Sequence, residues 1–218
     1  KKLKEYLKDT FSLYFKNNLN DPNFPNKEII DIFLEMPNEY LKLYNKIEKG
    51  EVSKFSIFNN KNIKVFYNGV RRASNIINNY SPKNDWIINK ILSNKKSKFL
   101  IFSHFIDMGI NPIKELLNTY EIEYASVTGD LSMKERKEAT DKYNNDKINI
   151  LFISKAGSEG LDLKNTTYII ILEPSWNENE IEQIIGRGVR YKSHHNLIKS
   201  KRKVIIYKLY CIKPIEYK

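Results

Sequence analysis

The sequence is short of cysteine, glycine and arginine. Its 218 residues hold one cysteine (Cys211), eight glycines, and six arginines against 31 lysines. A single thiol excludes an internal disulfide and a cysteine-rich zinc site. It fits a reducing, intracellular compartment, and no metal site is expected. No stretch approaches 18 uninterrupted apolar residues, so no membrane-spanning helix and no membrane partner are expected. The opening Lys1-Lys2-Leu3-Lys4 leads into no signal-peptide core. The chain begins with Lys1 instead of Met, which suggests a piece of a longer protein. Also absent are G-x-x-x-x-G-K-[ST] and any strand ending in the Asp-Glu pair that holds a nucleotide's magnesium.

What is present is apolar enough to fold and strongly basic. Apolar residues make up 41% of the chain, which argues against global disorder, and the formal net charge is +11. Lys, Asn and Ile together number 87 residues. That bias mirrors AT-rich coding, so Asn-rich loops carry no functional weight. The charge is uneven: Gln183 to Ile215 holds nine Lys/Arg and no Asp/Glu. Such a patch attracts a polyanion, in binding that weakens with salt. A solvated lysine face is the alternative for Lys199 to Lys203. Arginine differs, because its planar fork of donors cannot be copied by lysine.

Apolar spacing predicts helices over 1–20, Glu39–Lys49 with Gly50 as a cap, Val65–Tyr80, Asp85–Leu92, Pro112–Tyr120, Ser132–Asn144 and Asn177–Arg190. Ser132 followed by Glu135 reads as a capping box. Strands are predicted at Ile29–Glu35, Phe99–Phe102, Tyr124–Val127, Ile148–Ile153, Tyr168–Leu172 and Val204–Leu209. Strands alternating with helices imply parallel βαβ units, and unbroken apolar strands imply a sheet covered on both faces. The expected fold class is α/β: a parallel sheet flanked by helices, with a mostly helical N-terminal extension. The expected division is 1–95 for the extension, or connector between lobes, and 96–218 for the sheet domain.

Open α/β sheets bind ligands at the carboxyl ends of their strands. Three segments fall there. Ser103-His104-Phe105 follows the first strand of the domain. It suggests a backbone-contacting loop, a structural loop, or a Ser/His hydrolase dyad without an acid. Ser154 to Asp162 includes Gly157 and Gly160. Glycine lets backbone amides approach phosphate, unless the loop is an ordinary strand-to-helix turn. In Gln183 to Arg190, Arg187 and Arg190 at i and i+3 are expected to share a helix face, with Gln183 one turn earlier. Paired guanidiniums suit a phosphate in transit, and an arginine finger is worth about 10³–10⁵ in rate. A structural pair bridging acidic groups is the alternative. Arginines and a phosphate loop without a nucleotide cradle read as half of a composite ATPase site.

The order of these segments resembles the second RecA-like domain of a superfamily 2 helicase or translocase. Lys98 to Phe105 resembles motif IV, and Ser154 to Asp162 resembles motif V. Gln183, Gly186, Arg187 and Arg190 match the motif VI pattern Q-x-x-G-R-x-x-R. Glu173 to Asn177 resembles the D-P-x-W-N segment of the Swi/Snf-type branch. Upstream, Arg71 to Asn75, Ser81 to Lys83 and Trp86 resemble that branch's arginine-rich segment and S-x-K step. Glu35 to Tyr40, with Leu43 and Tyr44, resembles the entry to its second lobe. Gly186 departs from the acidic residue of chromatin remodellers. The continuation Arg190-Tyr191-Lys192-Ser193-His194 is similar to nucleoside triphosphatases and early-transcription helicases of poxviruses and other large DNA viruses.

The resemblance implies a RecA-like fold and an ATP-dependent helicase or translocase made complete by an N-terminal lobe outside this sequence. That lobe would hold most of ATP and Mg2+, leaving the isolated chain inactive. Arg187 and Arg190 would meet the γ-phosphate, with Gln183 beside them. Gly160, Asp162 and Gly186 would lie at the nucleotide, Asp162 reaching the ribose. Ser103, His104, Thr128, Gly129, Ser154, Lys155 and Gly157 would hold one strand's backbone. The implied partners are nucleic acid (DNA favoured over RNA), the N-terminal lobe, and transcription machinery. The location would be cytoplasm or virion for a viral protein, or nucleus for a cellular one. The rival reading is a non-catalytic nucleic-acid-binding or protein-interaction module that retains the fold.

Overall fold

The computed structural model describes residues 21–50, 63–175 and 177–214. The helix expected over 1–20 lies outside them, as does Trp176. Among the described residues six parallel strands form one sheet: β1 (Asn26–Glu35), β2 (Phe99–Phe102), β3 (Ala125–Val127), β4 (Ile150–Ile153), β5 (Tyr168–Ile171) and β6 (Lys203–Ile212), in the order β1-β6-β5-β2-β4-β3. The central strands β2 and β4 are buried at every position. Their unbroken apolar runs implied a parallel sheet covered on both faces, and the architecture is the RecA-like one that the resemblance implies.

Both faces of the sheet are covered. Leu100, Phe102, Leu151, Ile153, Ile169 and Ile171 point to one face and meet Tyr143 of α5 (Met133–Asn144) and Ile184 and Ile185 of α6 (Glu178–Gly188). Their neighbours Phe99, Ile101, Ile150, Phe152 and Ile170 point to the other face. There they meet Ile87, Ile88 and Ile91 of α3 (Pro82–Leu92) and Ile113 and Leu117 of α4 (Asn111–Thr119). The side-chain period of two therefore divides an all-apolar strand between two cores. A third cluster joins Tyr40, Tyr44 and Ile47 of α1 (Asn38–Glu48) to Ala73 of α2 (Ile63–Ala73). β1, from the segment read as the extension, is the edge strand of the sheet and pairs with β6 over its ten residues.

Local chemistry sets the element ends. Ser81 accepts from Asn84 N at 3.1 Å and Pro82 opens α3. The Ser132–Glu135 capping box starts α5. Gly50, at φ +76°, closes α1 by donating to Ile47 O. The helix expected to run to Tyr80 stops at Ala73 instead. Asn78 and Asn79 take left-handed φ of 49° and 64°, and Ile77 pairs back to Tyr80. Asparagine tolerates that conformation, and a helix cannot continue through it.

Candidate nucleotide and nucleic-acid interface

The carboxyl ends of β2, β3, β4 and β5 carry the loops singled out in the sequence. After β2, Ser103 is wholly buried. Its hydroxyl lies 2.9 Å from Glu173 Oε1, to which it donates, and accepts from Phe105 N at 3.1 Å. A Cβ on Gly109 would sit 2.1 Å from that hydroxyl, so glycine is required to wall it in. This differs from the expected backbone contact: Ser103 builds the loop and faces no strand. The hydrolase reading gains the acid it lacked, yet the serine bonds the carboxylate itself. Among the described residues no hydrogen bond joins its hydroxyl to the His104 ring, so no nucleophile–base pair exists.

Glu173 is the centre of a buried polar group. It also accepts from His104 N at 2.6 Å and from Asn75 Nδ2 at 3.4 Å. Lys83, fully buried, donates to Asn75 Oδ1 at 3.0 Å and to Leu172 O at 2.6 Å. Burial pushes the Lys83 ammonium down to about 8, opposed by the charge of Glu173. Burial alone would raise the Glu173 carboxyl, but the bonds from His104 and the charge of Lys83 outweigh it and hold it below its usual range. The His104 ring receives Arg71 Nη2 on Nδ1 at 3.2 Å and meets Glu180 Oε2 through Nε2 at 3.2 Å. Nδ1 also stands 3.5 Å from Glu173 Oε1. Arg71 and Arg72 both lie over the Phe105 ring, at 5.4 and 5.0 Å.

The loops after β3 and β4 are pressed together. Ser154 N donates to Val127 O at 3.2 Å. A Cβ on Gly157 would fall 1.9 Å from the same carbonyl, and one on Gly129 would fall 2.8 Å from Ala156 Cβ. Arg136 spans the pair, donating to Gly129 O at 2.8 Å and Leu131 O at 2.9 Å in the first loop and to Ala156 O at 3.5 Å in the second. Thr128 and Ser154 are buried, and Ser154 Oγ accepts from Gly157 N at 3.3 Å. Their hydroxyls shape the loops, while Gly129, Lys155, Gly160 and Asp162 face outward. Gly160 sits at φ +73°, a left-handed turn that glycine adopts without strain.

The arginine segment corrects one expectation. α6 ends at Gly188, so Arg187 lies in its last turn and Arg190 lies beyond the helix. They do not share a helix face, and they lie beside the amino end of β5, not at the carboxyl edge where this segment was expected: both flank the strip 161–163. Arg187 O accepts from Leu163 N at 3.1 Å, and Arg190 Nη1 reaches Leu161 O at 3.3 Å. Ser193 stops the helix: its hydroxyl accepts from Arg190 N at 3.2 Å and contacts the carbonyls of Arg190 and Gly188. His194, buried and depressed in pKa chiefly by desolvation, bridges Ser193 Oγ and Thr166 O, each at 2.8 Å. Arg187 is half-buried, and its Nε has no hydrogen-bond partner among the described residues. Arg190 is 46% exposed and stands 3.7 Å from Asp162, a loose contact between open side chains. Gln183 and Gly186 lie on the accessible side of α6.

Comparison with known proteins decides the family. The profile described as the helicase conserved C-terminal domain matches residues 82–192. The chain belongs to the helicase C-terminal domain family. A protein of Acanthamoeba polyphaga mimivirus described as an ATP-dependent RNA helicase is 38% identical over 166 residues, 75% of this chain and 37% of its own length. Nucleoside triphosphatase I of Choristoneura biennis entomopoxvirus is 34% identical over 177 residues, 71% of this chain and 27% of its own length. The chain thus spans about a third of the length of these relatives. Among solved structures, the C-terminal part of the Fun30 ATPase domain matches with a TM-score of 0.66 at 18% identity, covering 85% of each chain. The Sulfolobus solfataricus SWI2/SNF2 ATPase core in complex with dsDNA matches with 0.62 at 22% identity, covering 97% of this chain and 47% of that one. Those likenesses show the fold of a second RecA-like lobe.

Glu173, Lys83, Asn75, Glu180, Ser193 and His194 were not among the residues the sequence nominated for the site. Glu173 and Lys83 stood in resembling segments, but their meeting depends on the strand order. The signal for Ser193 and His194 was the Arg-Tyr-Lys-Ser-His continuation, whose capping role no spacing rule supplies.

Proposed function

We propose that this chain is the second lobe of an ATP-dependent nucleic-acid helicase or translocase. The observation that carries the reading is the arginine pair. Arg187 and Arg190 flank one strip, 161–163, beside the amino end of β5, and among the described residues neither is consumed by a local carboxylate. Arg187 keeps an orphaned Nε, and Arg190 touches Asp162 only at long range. An unpaired buried donor is costly unless a partner arrives, and a phosphate oxygen is such a partner.

ATP with Mg2+, held by a preceding lobe, would supply the phosphoanhydride bond whose hydrolysis drives the cycle. The residues here fit the far side of that site. Arg187 and Arg190 would offset charge on the transferring phosphoryl group. Gln183 and Gly186 leave that side of α6 open, and Asp162 with Gly160 forms the neighbouring lip toward the ribose. Lys155 and the amide of Gly129 would hold a strand; the buried hydroxyls of Thr128 and Ser154, the Gly157 amide that donates to Ser154 Oγ, and the His104 ring engaged by Arg71 and Glu180 would keep those loops in place. A phosphate-directed grip carries little base information. The neighbour solved with dsDNA supports DNA as the strand to test first. Opening and closing of the two lobes would move the strand, in the viral transcription setting that the resemblance to early-transcription helicases implies.

Arg190→Ala, in the protein carrying both lobes, tests this. Turnover should fall by about 10³-fold or more while strand affinity stays within about twofold. Unaltered turnover would remove the finger role and leave the binding-module reading. The present chain alone should show negligible ATP hydrolysis, because its sequence contains no P-loop.

A further inference from the structure

Glu180 is a carboxylate that the mechanism above does not use, and it stands where the loops converge. It lies in the first turn of α6, with its side chain 13% exposed. Oε2 takes the Ser175 hydroxyl at 2.9 Å and His104 Nε2 at 3.2 Å. Oε1 faces Lys155 Nζ at 3.2 Å but accepts no hydrogen bond of good geometry among the described residues. Charge attraction alone therefore holds that ammonium, whose side chain is 72% exposed. One carboxylate at the head of the arginine helix thus ties together the loop after β2 and the loop after β4.

We propose that Glu180 is a positioning residue that reports strand binding to Arg187: Lys155 pairs with Glu180 when no strand is bound and transfers to a backbone phosphate when one arrives. The inference rests on the proposed function and extends it. A phosphate and Glu180 compete for the same exposed cation, and a ligand shifts an equilibrium only through such a difference between two states. Loss of Lys155 leaves Oε1 buried without a counter-charge. The first turn of α6 then resettles against His104 and Ser175. α6 is continuous from Glu180 to Arg187, about 10 Å along its axis, so movement at its head reaches the arginine.

The test measures ATP turnover, with and without DNA, and DNA affinity, in the protein with both lobes. Lys155→Gln and Glu180→Gln should each raise the DNA-free rate by about 1.5- to 5-fold, the range of a half-exposed ion pair. Each should shrink the stimulation by DNA. They should part on affinity: Glu180→Gln tightens DNA binding by freeing the lysine, and Lys155→Gln weakens it. A lysine that only contacts phosphate would not move the DNA-free rate, and exposed Lys155 can be replaced without unfolding the lobe. DNA-free rates equal to the parent's in both variants would overturn the proposal, as would additive effects in the double variant. If Arg190→Ala abolishes turnover in the same preparation, that failure belongs to Glu180 and not to the motor reading.

Discussion

Gly157→Ala should damage the loop after β4, and its size follows from the backbone. The added Cβ would lie 1.9 Å from Val127 O, 2.4 Å from Val127 C and 2.9 Å from Thr128 N. All three are main-chain atoms. Val127 ends β3, paired with Ile153 of β4, and its carbonyl already accepts from Ser154 N. Neither side can turn away as a flexible side chain would. Overpacking against side chains costs about 1–3 kcal/mol, and a backbone clash belongs at the upper end, about 3 kcal/mol. For a chain of this length that lowers Tm by about 6–12 °C. Gly186→Ala is the matched control, since nothing lies within 4 Å of its Cβ and it sits inside α6. It should gain about 0.5–1 kcal/mol, the ordinary helix preference for alanine. Thermal unfolding followed by circular dichroism separates the two. Equal melting of Gly157→Ala and the parent, or shifts of one sign in both variants, would refute the close approach of these loops.

Lys83 predicts a pH dependence of stability. Its folded pKa, lowered by burial to about 8, lies below the unfolded 10.5. Between those values the unfolded chain binds more protons, so stability rises with pH and the gain is lost as pH falls through 8. Urea unfolding at pH 9.5 against pH 7.5 should show about 2 kcal/mol more stability from this group, and Lys83→Met should remove most of that rise; a parent profile that falls over this window contradicts it. Above pH 10 the buried tyrosines oppose the gain, since burial pushes Tyr44 up to about 12 and the unfolded phenols ionise first. The strand grip predicts that DNA affinity falls steeply between 50 and 200 mM salt, by about 10³-fold if six phosphates are neutralised. Salt-insensitive binding would point to a grip that is not on the backbone.

How much of this was legible depends on which distances decide it. β2, β4 and β5 could be read because a strand buried on both faces needs no alternation. The start of α5 could be read because Ser132 and Glu135 are three residues apart. The end of α2 could not, because the left-handed turn at Asn78 and Asn79 is held by the pairing of Ile77 with Tyr80. The end of α6 misled for a related reason: i, i+3 spacing predicts a shared face only while the helix continues, and Ser193 stops it at Gly188. The buried Lys83–Glu173 group joins positions that meet only once β5 lies beside β2. The spacing of Arg187 and Arg190 singles them out as candidates, but their arrangement about the strip 161–163 is set by where α6 ends.

The central claim is that the guanidinium of Arg187 acts on a triphosphate supplied by another lobe. Single-turnover ATP hydrolysis by Arg187→Lys, in the protein with both lobes and saturating DNA, tests it most directly. Lysine keeps the charge and loses the planar fork, so the account predicts a chemical step slowed by at least about 100-fold with ATP still bound. Hydrolysis at the parent rate would contradict it.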